Sequence, residues 1–256
     1  KDAPDLPACD DSYPTTRTAG FFGAYLRLSR FEVSEVTGAA DPMSEQVLLN
    51  FRINGGVHRG GGLAIRDNGR LFLSIGDQDD AQSAQSTADN FNGSVLRIDV
   101  NVTEGPGESW VCAPGSHLPR RIFGRSDEVS GRHYCIPDDN PWLDPSGSLL
   151  EEYCAVGLRN PFRLSVDSVS QRVWVGDVGS TLREEVDVIE CGNNYGWPFR
   201  EGFTAGPGSE PSAILGILTD PIVDFVRQEA SSITGGVIYR GSRLAELYGL
   251  YIVGDF

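Results

Sequence analysis

The sequence predicts an all-β protein of the β-propeller type, on three observations. Short runs of β-branched and aromatic residues recur along the chain, and no stretch keeps a 3.6-residue apolar period for three turns. Gly, Asp, Asn and Pro separate the runs, and 31 glycines and 15 prolines supply the turns. Three runs, RLFLSIGD, RVWVGD and GLYIVGD, carry an aromatic residue in an apolar strand that stops at Gly-Asp. Their unequal spacing favours blades with insertions, with a sandwich or barrel as the alternative.

The predicted strands follow from these runs. In chain order they are YLRLSRFEV, QVLLNFRI, GLAI, RLFLSI, SVLRIDV, FRLSVD, RVWVGDV, EVDVIE, GGVIYRG and GLYIVGDF. A chain of 256 residues is within the range of a single all-β domain. We expect an N-terminal extension or linker at 1–23 and the propeller at 24–256. Insertions are expected at 103–148 and 202–232.

The charge balance excludes one class of partner. The 21 Lys+Arg and 36 Asp+Glu give a formal net charge of −15, which would repel a phosphate backbone, so nucleic acid is not an expected partner. No apolar run approaches the length of a membrane span. The start KDAPDLPACDD lacks the apolar core of a signal peptide, so we expect a soluble chain whose first residue is a processing or fragment end.

The five cysteines show no CxxC spacing, which gives a zinc cluster little support. Disulfides are the better interpretation, with buried thiols as the alternative. Cys112 and Cys135 bracket an irregular segment, and closing it would contribute roughly 3 kcal/mol through the unfolded state. We also expect Cys154 to pair with Cys191, which leaves Cys9 without a partner in this sequence.

Two sequons are present. Asn101 begins NVT in a polar, turn-rich context and is predicted to be glycosylated, whereas Asn92 begins NGS just before a strand and is a weaker candidate. Disulfides and a glycan both favour a secreted or extracellular protein.

The segment GGVHRGGGLAIRDNGRLFLSIGDQ holds the first candidate site. Glycines around His58 allow the backbone to pass close to a ligand. Asp77 ends the hairpin that His58 opens, so the carboxylate can return beside the imidazole, fix its tautomer and raise its basicity. The alternative is a histidine at a tight turn and an aspartate that caps a loop.

Four further motifs occur in order: VGLRNPFRLSVD, WVGDVGSTLREEVDVIECGNNYGWPFREG, TGGVIYRG and LYGLYIVGDF. They resemble the soluble quinoprotein glucose/sorbosone dehydrogenase family, from about Tyr25 to Phe256. The resemblance implies a six-bladed β-propeller that binds pyrroloquinoline quinone (PQQ) and calcium and oxidises aldose sugars. This chain would supply about four blades, so further chains or residues outside this sequence must cover its open sheet edges.

The segment GDVGSTLREEVDVIECGNNYGW is also similar to the hedgehog-interacting-protein-like branch, whose members are secreted. That likeness implies an alternative function, a non-catalytic extracellular propeller used for binding or assembly. The expected partner is therefore a sugar substrate or an extracellular protein.

The resemblance assigns roles to individual residues. The HNGG signature of the family falls on HRGG, which makes His58 the base and Asp77 the residue that orients it. In GLRNP, Arg159 matches the arginine that faces the quinone and Asn160 a neighbouring cofactor contact. Arg240 in YRG is the candidate cation for the cofactor's carboxylates.

Calcium has two candidate positions by the same resemblance. Carbonyl oxygens of Gly179 and Ser180 match the turn that holds the cofactor calcium. Glu185 and Tyr195 keep the interval of a second, structural calcium, although REEVD is also typical of an ordinary acidic strand rim. The leading hypothesis is a secreted PQQ-dependent aldose dehydrogenase with His58 as its general base.

Overall fold

The computed structural model describes residues 24–53, 56–105, 110–121 and 133–256. The expected N-terminal extension and Cys9 lie outside these residues, as do two parts of the first expected insertion, 106–109 and 122–132. Regular structure in the described part of the chain is β-strand, apart from three short 3-10 helices at Pro42–Ser44, Ala81–Gln85 and Ala245–Leu247. No described helix has the length and apolar character that crossing a bilayer requires.

The strands are, in chain order, β1 (Ala24–Arg30), β2 (Gln46–Ile53), β3 (Leu63–Ile65), β4 (Arg70–Ile75), β5 (Ser94–Asp99), β6 (Val102–Glu104), β7 (Trp110–Cys112), β8 (Ser116–His117), β9 (Ile136–Pro137), β10 (Tyr153–Val156), β11 (Pro161–Val166), β12 (Val173–Asp177), β13 (Arg183–Ile189), β14 (Asn193–Asn194), β15 (Arg200–Glu201), β16 (Thr204–Ala205), β17 (Ile217–Leu218), β18 (Val223–Val226), β19 (Ile233–Ile238) and β20 (Tyr251–Asp255).

Four antiparallel sheets follow one another along the chain. We call them blade one (β1 and β2), blade two (β3, β4, β5 and β10), blade three (β11, β12, β13 and β18) and blade four (β19 and β20). Strand β11 contacts β3 and β4 on one side and β19 on the other, so the blades pack face to face. Two of the four named blades are thus four-stranded and two are strand pairs, arranged as in a β-propeller.

Strand β4 shows why these sequences form blades. It pairs in register with β5 from Arg70 opposite Asp99 to Ile75 opposite Ser94. Successive side chains of a strand point to opposite faces, so Leu73 and Ile75 pack toward blade one while Phe72 packs toward blade three. Because both faces are covered, a central blade strand is apolar almost throughout.

The two expected insertions are corrected in one respect. The first lies between the third and fourth strands of blade two and contains most of the hairpin β6–β7 and all of β8–β9, and the second begins between the third and fourth strands of blade three. The range 202–232 is too long, because Val223–Val226 forms the outer strand β18 and pairs with β13. The sequence VDFV is short and follows a proline, so only its pairing with β13 identifies it as a strand.

The outer edge of blade two is covered by short parallel strands. Strand β14 pairs with β10, and β17 pairs with β14. Both belong to the chain that follows β13, so the connection out of blade three closes an edge that would otherwise expose backbone donors and acceptors.

Both expected disulfides are bonded in the structure. Cys112 at the end of β7 joins Cys135, next to β9, with Cα atoms 5.8 Å apart. Cys154 in β10 joins Cys191 after β13, with Cα atoms 4.2 Å apart. The second bond therefore links the outer strand of blade two to blade three.

Candidate functional site

His58 and Asp77 form a hydrogen-bonded pair at one end of blade two. Because β3 and β4 are antiparallel, the chain before β3 and the chain after β4 meet at the same end of the sheet. His58 Nδ1 lies 2.7 Å from Asp77 Oδ1. The His58 side chain is 14% exposed and that of Asp77 is 2% exposed, so the imidazole faces outward from a buried carboxylate. An imidazole that donates from Nδ1 has its lone pair on Nε2.

The backbone at His58 requires glycine opposite it. His58 has φ of 49°, in the left-handed region that non-glycine residues seldom adopt. A Cβ atom at Gly76 would lie 2.1 Å from the His58 carbonyl oxygen, which is not sterically possible. The close approach holds His58 beside the residue that precedes Asp77.

Asp77 is held by more than His58. Its Oδ2 accepts a 2.8 Å hydrogen bond from Trp197 Nε1, and its Oδ1 accepts a 2.9 Å bond from the Asp79 backbone N–H. Burial alone would raise the pKa of the Asp77 carboxyl, but these bonds and the nearby His58 hold that pKa below its ordinary value. Asp77 is therefore a fixed carboxylate.

Arg159 reaches the same place from blade three. Its carbonyl oxygen accepts a 2.7 Å hydrogen bond from the Asp77 N–H, and its guanidinium carbon lies 5.5 Å from the centre of the Trp197 ring. Its Nη1 donates to the carbonyls of Val178 at 2.9 Å and Gly179 at 2.6 Å. The structure thus brings His58, Asp77 and Arg159 together, with Trp197 touching the last two.

Asn160 extends this cluster inward. Its backbone N–H donates to Asp177 Oδ1 at 2.6 Å, and the Arg159 N–H donates to Asp177 Oδ2 at 2.8 Å. The Asn160 side-chain oxygen is buried and has no hydrogen-bond partner among the described residues. It is an acceptor that a bound group can use.

A cavity of about 340 Å³ opens between β3 and β11, starting two residues after His58 and three after Arg159. Its lining residues are Gly60, Gly61, Gly62, Leu63, Phe162, Arg163 and Leu164.

Three buried carboxylates lie behind Asn160. Asp177 stands directly opposite Glu185 across β12 and β13, and Asp187 lies two residues further on the same face. Oxygen atoms of the three lie within 4.8 Å of one another. Burial raises the pKa of Glu185 and of Asp187, and repulsion among the carboxylates raises each further.

This carboxylate triad fits a hard cation. Both Asp187 oxygens are buried without a hydrogen-bond partner among the described residues. Calcium takes oxygen ligands at about 2.3–2.6 Å, so two of its ligands can be at most about 5 Å apart, a limit that the triad oxygens satisfy. Asp177, Glu185 and Asp187 would hold the ion, and its charge would offset three buried negative charges.

The other calcium position is arranged differently. The Gly179 carbonyl accepts from Arg159 and, at 3.1 Å, from Arg227 Nη2, which also donates to the Ser180 carbonyl. A calcium ion at these carbonyls would meet two guanidinium groups, which must move before it can bind. The assignment of Gly179 and Ser180 as ligands stays a prediction.

Glu201 shapes the same turn. Its Oε1 accepts hydrogen bonds of 2.7 to 3.1 Å from four consecutive backbone N–H groups, those of Ser180, Thr181, Leu182 and Arg183. One buried carboxylate therefore fixes the loop between β12 and β13.

Tyr195 is buried, and its hydroxyl donates a 2.6 Å hydrogen bond to the Val188 carbonyl. Burial raises the pKa of the Tyr195 hydroxyl, and the charge of Asp187 raises it further. Tyr195 thus lies near the triad, while its role as a carbonyl ligand stays a prediction.

Arg240 is not brought to this cluster. It follows β19 and forms two 2.7 Å bonds to the Asp167 carboxylate, which follows β11. Arg159 precedes β11, so a full strand length separates Arg240 from the site. The expectation that Arg240 contacts the cofactor finds no support in this geometry, because the strand carries its side chain to the opposite end of the blade.

Several site residues were missed from the sequence: Trp197, Asp177, Asp187, Glu201 and Arg227. Only the triad had a readable signal, because alternation places Glu185 and Asp187 on one face of a strand. Nothing local in the sequence connects Trp197 to Asp77, which is 120 positions away.

Comparison with known proteins identifies the family. Residues 132–256 match the model of the glucose/sorbosone dehydrogenase family. The HIPL2 protein of Arabidopsis thaliana is 32% identical over 210 residues, which cover 77% of this chain. The chain belongs to the glucose/sorbosone dehydrogenase family. Hedgehog-interacting protein of Mus musculus is 25% identical over 260 residues, or 95% of the chain. The chain spans 28% of the length of HIPL2 and 30% of the length of the mouse protein.

Solved structures establish the fold of this glucose/sorbosone dehydrogenase family member. A glucose dehydrogenase superposes with a TM-score of 0.63 at 22% identity, covering 90% of this chain and 56% of that one. The PQQ-bound form of aldose sugar dehydrogenase from Streptomyces coelicolor gives 0.52 at 23% identity, covering 90% and 58%. The predictions of an all-β chain and of part of a six-bladed propeller are confirmed.

Proposed function

We propose that this protein is a secreted PQQ-dependent aldose dehydrogenase. One observation carries the proposal: His58 and Asp77 from one hairpin and Arg159 from a distant motif meet at one end of blades two and three. A structural scaffold has no need of a base, a carboxylate that orients it and a neighbouring cation in one place.

His58 acts as the general base. Oxidising an aldose at its anomeric carbon removes one proton and one hydride, and the lone pair on His58 Nε2 accepts the proton. The 2.7 Å bond to Asp77 holds the ring in this tautomer and stabilises the imidazolium that forms. Trp197 holds the second carboxylate oxygen, so Asp77 cannot rotate away.

The residues present fit a quinone at this position. The unpartnered Asn160 oxygen and the Arg159 guanidinium would contact PQQ, and Arg159 would offset negative charge on a reduced ring oxygen. PQQ, when bound, supplies the acceptor for the hydride. The neighbouring cavity between β3 and β11, at about 340 Å³, is within the usual range for small-molecule sites.

Calcium is proposed at the carboxylate triad of Asp177, Glu185 and Asp187. The observation that supports it is the buried Asp187 carboxylate without a partner among the described residues. Asp177 also accepts from the backbone of Arg159 and Asn160, so an ion held there would stabilise the loop that carries both residues.

An extracellular or lumenal location fits the two disulfides. The similarity to hedgehog-interacting protein supports the same location.

The test is dye-linked oxidation of glucose and other aldoses by the full-length protein, with and without PQQ and Ca²⁺. His58→Ala should abolish turnover and leave PQQ binding by calorimetry largely intact, whereas Arg159→Ala should impair both. His117→Ala is the matched control, because His117 Nδ1 also lies 2.7 Å from a carboxylate, that of Asp138, away from the site. Unchanged sugar oxidation by His58→Ala would refute the mechanism.

A second candidate is an extracellular propeller that binds a hedgehog-type protein without catalysis. The observation that favours it is the turn at Gly179 and Ser180, whose carbonyls bond to Arg159 and Arg227. If this second function is correct, calorimetry should detect no PQQ binding. Surface plasmon resonance should then detect binding of a purified hedgehog protein. PQQ binding with sugar turnover would exclude it.

A further inference from the structure

An arginine-lined cavity lies at the end of blade two opposite His58. Arg66 follows β3, Arg70 begins β4 and Arg97 lies in β5, so all three approach the end of the sheet at which β3 finishes. The cavity measures about 410 Å³, and its other lining residues are Asn68, Gly115, Asp138 and Asp139. It is independent of the proposed dehydrogenase site.

Two of the three guanidinium groups are fixed by protein partners. Arg70 is paired with Asp99 and donates to Ser116 Oγ at 2.7 Å. Arg97, which is 7% exposed, donates to Asn140 Oδ1 at 2.7 Å and to Asp139 Oδ1 at 2.8 Å. These contacts hold the two cations in place and offset part of their charge.

Arg66 differs from both. No described carboxylate forms an ion pair with it, and its Nε is buried without a hydrogen-bond partner among the described residues. Its guanidinium carbon lies 4.9 Å from the centre of the Phe72 ring, which covers one face of the group. Burial lowers the pKa of the Arg66 guanidinium, an effect that the charge of Asp139 offsets only in part. A positive charge with incomplete solvation and an unused donor is thus left at the cavity.

The neighbouring arginines make the uncompensated charge of Arg66 still less favourable. Burial is the largest cause that lowers the pKa of Arg97, and repulsion by Arg70 and Arg66 adds to it. Arg66 and Arg97 approach the same ring, because Phe72 stands opposite Arg97 across β4 and β5. An anion between the guanidinium groups would relieve their repulsion and satisfy the free donor.

We propose that this cavity binds a small ligand through a tetrahedral oxyanion, a sulfate or phosphate group, with Arg66 as its principal donor. Three guanidinium groups that approach from different positions can bond to different oxygens of a tetrahedral group. A planar carboxylate is a poorer match, because a single arginine can bind both of its oxygens. Asp138 and Asp139 also line the cavity, but each already has a partner. Their side chains are 56% and 76% exposed, and His117 and Arg97 hold them.

The cavity brings three arginines together in a chain whose net charge is −15. Free inorganic anions and sulfated or phosphorylated sugars are two sources of the same group. A sugar phosphate that binds more tightly than inorganic phosphate would identify carbohydrate as the source, whereas equal affinity would identify the free ion.

The experiment is titration calorimetry of the intact protein with inorganic sulfate, inorganic phosphate and glucose 6-phosphate in chloride buffer. Arg66→Gln should raise each dissociation constant at least tenfold, since it removes a charged hydrogen-bond donor. Arg66→Lys keeps the charge without the fork and should give an intermediate constant, which covers the case in which Arg66→Gln does not fold. Arg172→Gln, an exposed arginine whose nearest carboxylate is 3.8 Å away, is the matched control and should bind as the wild type does.

Three results would overturn the proposal. They are no measurable binding of sulfate or phosphate at tens of millimolar, equal binding by Arg66→Gln and the wild type, or acetate binding as tight as that of sulfate.

Discussion

Trp197 Nε1 donates a 2.8 Å hydrogen bond to Asp77 Oδ2, although the two residues are 120 positions apart. The bond ties the connection after β13 to the end of β4. One carboxylate oxygen of Asp77 therefore bonds to His58 and the other to Trp197. The segments that carry these two residues must both be in place before the carboxylate is fully bonded.

Trp197→Phe tests this bond. It leaves Asp77 Oδ2 buried with one donor fewer, so the free energy of unfolding in urea should fall by about 1–3 kcal/mol. Trp174→Phe is the matched control, because the Trp174 Nε1 is buried and has no partner among the described residues. Equal losses in the two variants would show that the Trp197 bond contributes nothing beyond ring packing.

Glu152 should make the protein less stable as the pH rises toward neutrality. Burial raises the pKa of Glu152 to about 7, and Tyr134 donates a 2.6 Å hydrogen bond to it. The pKa of Glu152 is higher in the folded protein than in the unfolded chain, where it is about 4.5. The contribution of Glu152 to the free energy of unfolding is therefore complete below pH 4.5 and is lost as the pH rises through about 7.

The loss attributable to Glu152 is up to about 3 kcal/mol between these pH values. Thermal unfolding at pH 5 and pH 7.5 measures it. Glu152→Gln should reduce the difference, while Glu229→Gln, a change at an exposed glutamate, should not. An unchanged pH dependence in Glu152→Gln would contradict the prediction.

Calcium should stabilise the protein through the carboxylate triad. A hundredfold excess of Ca²⁺ over its dissociation constant is expected to add roughly 2–3 kcal/mol to the free energy of unfolding, and EGTA should remove it. Asp187→Asn should abolish the response and raise the midpoint in EGTA, because it removes a buried carboxyl without a hydrogen-bond partner whose ionisation burial disfavours. Glu190→Gln, at an exposed position, should respond to Ca²⁺ as the wild type does.

Asn101 should carry a glycan in protein secreted from a eukaryotic host. It is exposed, and its side-chain nitrogen donates only a 3.2 Å hydrogen bond, to the Asn68 carbonyl. Peptide-N-glycosidase treatment followed by mass spectrometry should shift the wild type but not Asn101→Gln. Asn92→Gln should shift as the wild type does, since the Asn92 side chain is partly buried and bonded to Ser83. An unmodified Asn101 would weigh against secretion.

The inner strands were predictable because their signal is local. QVLLNFRI and RLFLSI correspond residue for residue to β2 and β4, whose apolar side chains meet the covered faces of neighbouring blades. The outer strands β10 and β18 were not predicted. Each has only four residues, and pairing with β5 or β13 defines it.

The sequence by itself determined the His58–Asp77 pair, because an antiparallel hairpin returns its two ends to one place whatever surrounds it. It also predicted both disulfide pairs, with buried thiols as the alternative that the structure excludes. Only the tertiary structure decided that Trp197 completes the Asp77 site, that Arg240 binds Asp167 at the far end of the blade, and that guanidinium groups meet the Gly179 carbonyl. The physical reason is that hairpin geometry follows from neighbouring residues, whereas contacts between blades depend on how whole sheets pack, and side chains far apart in the sequence meet only after packing.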